Sequence, residues 1–116
     1  KTQSRVNFRH KHLPKRCAPY VTICVCRFLQ EGLANAFRHA DASGQTVVAE
    51  GLKNAILVQV SDSGPGISET ERPEFGSHLG LITLRRRLES IRGILTVSSK
   101  LGLGTTLTAW IPVTGE

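Results

Sequence analysis

Residues 55–60, AILVQV, hold five apolar residues in six and are bracketed by turn-forming stretches, GLKN before and SDSGPG after. A run that apolar and that β-branched suits a strand in the middle of a sheet. The preceding QTVVAE is also β-rich, and GLKN between the two makes a hairpin-like turn. A central strand needs neighbours on both sides and a layer to cover it, and the rest of the chain has to supply them.

The cover comes from two amphipathic stretches. Val21, Val25, Phe28, Leu29, Gly32 and Ala36 recur at i, i+3 and i+4, which predicts a long helix over residues 15–39, opened by Pro14 and closed by DASG at 41–44. Leu81, Leu84, Leu88 and Ile91 predict a second helix ending at Gly93. Arg85, Arg86 and Arg87 on it read as its wet face, because three consecutive residues at 100° per step cannot all point inward. A short strand over residues 5–8 comes first, and ILTVSS and TLTAWIP form a last pair around the tight GLGT turn. The order β, α, β, β, loop, α, β, β predicts an α/β (α+β) fold: a two-layer sandwich with a mixed sheet and both helices on one face.

Length and composition agree with one domain over 1–116, with 40% hydrophobic and 21% charged residues. No apolar stretch approaches a membrane span and no signal-peptide core follows the basic start, so the chain is expected to be cytoplasmic. Cys17, Cys24 and Cys26 form neither a CxxC nor a zinc pattern and are read as reduced core thiols. His10 and His12 have no nearby Asp, Glu or Cys and make poor metal ligands. The net charge of +6 is uneven: Lys1, Arg5, Arg9, Lys11, Lys15, Arg16 and Arg27 all precede Glu31, the first acidic residue. Such a segment favours a polyanion, or is simply a solvated end of a larger protein.

Chemistry concentrates in two places. In EGLANAFRHA, steps of four place Glu31, Asn35 and His39 on one ridge, with Arg38 one i+3 step from Asn35, at the margin of the buried stripe. Glu31 can serve chemistry there, or pair with Arg27 one turn back. SDSGPGI sets Asp62, Gly64 and Gly66 directly after the central strand, where a carboxylate can read a ligand's donor groups. A GxxxxGK[ST] phosphate loop does not occur.

Four motifs in order, ExxxN at Glu31 and Asn35, DxGxG at Asp62, Gly64 and Gly66, GxxxG at Gly76 and Gly80, and GxGT at Gly102, Gly104 and Thr105, resemble the GHKL ATPase superfamily. Over about residues 13–112 the chain most resembles the catalytic ATP-binding domain of a bacterial two-component sensor histidine kinase. CRFLQEGLANAFRHA and LGLITLRRRLESIRGILTVSS look like the subfamily that partners helix-turn-helix response regulators. The resemblance implies ATP and Mg²⁺ as ligands, with Asn35 on the metal, Glu31 helping to deprotonate the attacking group, and Arg38 and His39 near phosphates and nucleoside. Asp62 would accept from the adenine amine, with Gly64 and Gly66 bending the backbone away and Thr105 supporting the contact. Residues 67–79 would form a short lid, bringing Ile67, Gly76, His78, Leu79, Gly80 and Leu81 to the nucleotide. His78 stands where the family commonly has glycine, so the lid follows a variant path or His78 itself meets a phosphate.

The resemblance also implies what this chain does not carry: an acceptor histidine on a dimerising hairpin, and a sensor region. The expected partners are that hairpin domain and a response regulator. The parent would be a homodimer, this fragment a monomer, and no nucleic acid is expected. An anti-sigma-factor-like serine kinase of the same superfamily also uses ExxxN and DxGxG. A basic nucleic-acid module would explain the charge but leave the Asp and glycine motifs without a role.

Overall fold

The computed structural model describes residues 6–40, 44–62, 79–100 and 104–113, with the backbone alone at 35–40, 79, 80 and 100. The elements are β1 (Val6–Lys11), α1 (Pro19–Ala40), β2 (Gln45–Gly51), β3 (Ala55–Asp62), α2 (Leu79–Glu89), β4 (Ile94–Lys100) and β5 (Gly104–Pro112). They form a five-stranded sheet in the order β1-β2-β3-β5-β4. β1 and β2 are parallel across the α1 crossover, and every other pair is antiparallel. AILVQV lies at the centre of the sheet, hydrogen-bonded on both sides.

Register explains why both helices share one face. Val47, Val60, Leu107 and Val97 face one another across β2, β3, β5 and β4. Ala49, Val58, Ala109 and Leu95 form the next row, and Ile56 pairs with Ile111 beyond it. Onto these rows α1 brings Val21, Cys24 and Phe28, and α2 brings Leu81, Leu84 and Leu88, all buried. The opposite face is mixed: Leu57, Trp110 and Ile94 share one row, and beyond it Gln59 Nε2 donates to Thr108 Oγ1 at 3.2 Å and the Ser61 and Thr106 hydroxyls meet at 3.2 Å. Cross-strand pairs satisfied in this way need no second covering layer.

The helix limits differ in instructive ways from those expected. α1 begins at Pro19, not after Pro14, with the Ala18 carbonyl accepting from the amides of Val21 at 2.9 Å and Thr22 at 3.3 Å. A helix begun at Lys15 would put Pro19 in its interior, its ring against the residue 15 carbonyl; at the first helical position the missing N–H costs nothing. β1 runs three residues beyond the expected end at Phe8, because β2 offers it a parallel edge as far as Glu50.

At the end of α2 the amide of Arg92 donates to the Glu89 carbonyl at 3.0 Å and that of Gly93 to the Leu88 carbonyl at 2.7 Å. This is the double closure of a Schellman cap, but the left-handed residue is Arg92, at φ 67°, and not Gly93. Gly93 is required for space: a Cβ there would sit 2.9 Å from the Trp110 carbonyl oxygen and 3.1 Å from that of Leu88.

Two side-chain expectations also change. Arg86 is exposed, but Arg85 and Arg87 are half-buried, flanking the apolar stripe. Of the three free thiols only Cys24 is in the core; Cys17 and Cys26 are exposed. Burial pushes the Cys24 thiol up in pKa, partly offset by the Arg87 guanidinium across the α1–α2 contact.

Two measurements follow. The left-handed penalty of about 1–2 kcal/mol for a side chain exceeds the entropy cost of glycine, so Arg92→Gly should stabilise the fold by roughly 0.5–1 kcal/mol in urea denaturation, while Gly93→Ala destabilises it. In mass-resolved alkylation, iodoacetamide should modify Cys17 and Cys26 in the folded chain and reach Cys24 only after unfolding, since a buried thiol of raised pKa supplies little accessible thiolate.

Candidate functional site

The helix-facing side of the sheet changes character at one end. Beyond the Val60–Leu107–Val97 row, two residues on, the register pairs Asp62 with Thr105 and Thr105 with Ser99. The apolar face therefore ends in a carboxylate and two hydroxyls side by side on β3, β5 and β4. Thr105 is only 5% exposed, and its Oγ1 lies 3.0 Å from Ser99 Oγ, which also donates to the Gly104 carbonyl at 3.3 Å. Gly104 opens β5 at φ 98°, a conformation for which glycine is suited. Gln45, the first residue of β2, is a second buried polar group at the same end.

Both helices converge on this end. A Cβ at Gly32 would lie 3.1 Å from Val60 Cγ2 and 3.6 Å from Leu107 Cδ1, so the α1 backbone presses directly on the last apolar row. From Gly32 the α1 backbone continues through Asn35, Arg38 and His39. At about 1.5 Å per residue, Asn35 stands about 4.5 Å further along the helix axis than Gly32. Glu31, half-buried, immediately precedes the contact. α2 finishes at the opposite end of the sheet, where Ile94 pairs with Trp110, so its N-terminal turn lies toward the Asp62 end. The amides of a helix's first turn have no partners within the helix and favour anions.

Of the residues singled out in the sequence, the fold sets Asp62 beside Thr105 and brings Glu31 close to the same end through Gly32. Asn35, Arg38 and His39 lie on the last turns of α1, where the backbone alone is described. Leu79 and Gly80 open α2, whereas the Leu81 side chain is fully buried and serves the core. Gly64, Gly66, Ile67, Gly76, Gly102 and His78, with the DASG turn up to Ser43, lie outside the described residues. Gln45 and Ser99 join the site without any motif to mark them. Only the pairing of strand ends, which periodicity does not reveal, distinguishes them from ordinary polar strand residues. Among the described residues no cluster of three metal-ligating side chains occurs, and no helix is long and apolar enough to cross a membrane.

A carboxylate acceptor in register with a pair of hydroxyls, at the mouth of an apolar layer and toward a helix N-terminus, can read a flat ligand with an exocyclic donor at one end and an anionic tail at the other. Comparison with known proteins agrees in kind. The family model of histidine kinase-, DNA gyrase B- and HSP90-like ATPases matches residues 22–115. The signal transduction histidine-protein kinase/phosphatase DegS of Brevibacillus brevis is 36% identical over 111 residues, covering 96% of this chain and 28% of DegS. Among solved structures, the Acinetobacter baumannii histidine kinase AdeS superposes with a TM-score of 0.75 at 20% identity, over 95% of this chain and 54% of that one. Full-length ShkA in complex with AMPPNP gives 0.74 at 21%, over 94% and 26%. The two structural likenesses establish the fold, and the chain spans less than a third of the curated relatives it matches, 26–31% of their length. The serine-kinase and nucleic-acid readings are not favoured. Sheet order, helix placement, matched family and relatives converge: this chain belongs to the histidine kinase-, DNA gyrase B- and HSP90-like ATPase family and corresponds to the ATPase domain of sensor histidine kinases.

Proposed function

We propose that this domain binds Mg²⁺-ATP at the Asp62 end of the sheet and donates the γ-phosphoryl group to a histidine on a separate helical hairpin, as the catalytic part of a cytoplasmic two-component signalling kinase. The observation that carries the reading is the polar row Asp62–Thr105–Ser99 at the edge of an otherwise apolar face. AMPPNP in the ShkA structure supports an adenine nucleotide as the ligand class.

In this reading Asp62 accepts a hydrogen bond from the adenine amine, a group that guanine replaces with a carbonyl acceptor. Thr105, held by Ser99, supports that contact, and Gly64 and Gly66 leave room for the base. The lid residues Ile67, Gly76 and His78, with Leu79, Gly80 and the Leu81 backbone, approach the phosphates at the positive end of α2. Arg38 and His39 approach phosphates and nucleoside from α1. Asn35 would hold Mg²⁺ through its amide oxygen, and the metal would neutralise triphosphate charge. Glu31 takes the proton from the attacking imidazole as its nitrogen bonds the γ-phosphorus and the bond to ADP breaks. The hairpin domain of a dimeric parent and a response regulator are the partners that the histidine-kinase relatives make natural.

Asp62→Ala removes one charged hydrogen bond, worth roughly 1.5–3 kcal/mol, so calorimetry should record about 10- to 100-fold weaker ATP binding. Unchanged affinity would remove Asp62 from the adenine site.

Binding and chemistry should separate on α1. Asn35→Ala is expected to weaken Mg²⁺-dependent ATP binding, whereas Glu31→Gln, which keeps size but loses charge, should bind ATP nearly normally and transfer phosphate slowly. Transfer is read in trans, on the parent's hairpin made separately, as phosphohistidine that survives base and is lost in acid. Wild-type rates from Glu31→Gln would reduce Glu31 to a structural partner.

A further inference from the structure

At the edge of the sheet farthest from α2, the helix layer leaves a gap. α1 packs over β3 and β5, while β1, the edge strand, carries no buried residue. Between them runs a groove of about 200 Å³, floored by Phe8, Val47 and Ala49 and walled by Leu13, Val25 and Leu29. Phe8 is 55% exposed although its register partner Val47 is 2% exposed, so the apolar surface continues from the core into the open. Pro14 and Cys17 line both this groove and a neighbouring cleft of about 430 Å³ at the start of α1. That cleft is rimmed by His12, Arg16 and Lys53, and His12 is held there in the left-handed region at φ 58°, its carbonyl packed against Gly51. Among the described residues no carboxylate lines either recess.

We propose that these two adjoining recesses form a docking site for an acidic polypeptide segment whose clustered apolar side chains fill the groove while its carboxylates meet Arg16 and Lys53. Charge complementarity selects the occupant. Arg16 and Lys53 are exposed at the rim of the cleft, and the sequence offers no acidic residue before Glu31. The apolar surface is concave, of a size to take single side chains, whereas a bilayer rewards apolar groups that protrude. Nucleic acid would engage the cations but leave the aliphatic walls of Leu13, Val25 and Leu29 unfilled. A second copy paired isologously through β1 would bring two sets of the same cations together. The groove lies at the edge opposite α2, and the proposal does not depend on the nucleotide reading.

The test is affinity selection of phage-displayed random 16-residue peptides on the 116-residue chain, followed by anisotropy titration of the recovered peptides. The expected consensus combines Asp or Glu with clustered Leu, Ile, Phe or Trp. Its amide shift changes should centre on residues 8, 25, 29 and 47. Binding should fall at least about tenfold in Phe8→Ser and, independently, in Arg16→Glu/Lys53→Glu, each checked for a wild-type melting temperature. No enrichment, a neutral or basic consensus, or binding indifferent to both variants would overturn the proposal. So would phosphatidylserine vesicles or a single-stranded oligonucleotide binding in a manner that Phe8→Ser abolishes and the peptides do not reproduce.

Discussion

The contact of Gly32 with Val60 and Leu107 sets the height of α1 above the sheet, and the geometry of the candidate site depends on that height. A Cβ at Gly32 would stand 3.1 Å from Val60 Cγ2, so the valine or the helix that carries Glu31 has to give by a few tenths of an ångström. The cost would combine strain with lost burial along the last apolar row, of order 1–3 kcal/mol for overpacking a tight core. One glycine therefore couples packing to function: the helix that seals the core is also the wall of the site.

The sheet contributes the complementary half. Its register stacks apolar rows under the helices and then, two residues on, replaces Val60, Leu107 and Val97 with Asp62, Thr105 and Ser99. The transition takes place within continuous strands, so the polar groups inherit the rigidity of the ladder instead of relying on a loop. Thr105, buried and bonded to Ser99, is positioned before any ligand arrives, which is the condition under which a hydrogen bond discriminates between ligands rather than merely accompanying binding. The open face, with Gln59–Thr108 and Ser61–Thr106, meets its own polar needs and leaves both helices on the other side.

Much of this was legible in the chain itself. AILVQV announced the central strand, the spacing of Val21, Val25, Phe28 and Leu29 announced α1, and ExxxN, DxGxG and GxGT pointed to the family. What escaped depends on competition or pairing. Two prolines could each open α1, and the interior clash of Pro19 decides between them. Arg92 takes the left-handed position because Gly93 is already committed to lying against Trp110 and Leu88. Ser99 and Gln45 acquire meaning only through strand ends brought level by the sheet. The edge groove was equally invisible, since nothing in the sequence tells that β1 lies beyond the reach of α1.

The central claim, that a nucleotide is read by the Asp62–Thr105–Ser99 row, is tested most directly by mapping backbone amide shifts of the isotopically labelled chain during titration with Mg²⁺-ATP and, separately, Mg²⁺-GTP. The account predicts that ATP moves the amides of Ser61, Asp62, Thr105 and the first turn of α2 at concentrations where GTP leaves Asp62 and Thr105 in place. Shifts confined to the cationic cleft around Arg16 and Lys53, or equal at Asp62 for both nucleotides, would contradict it.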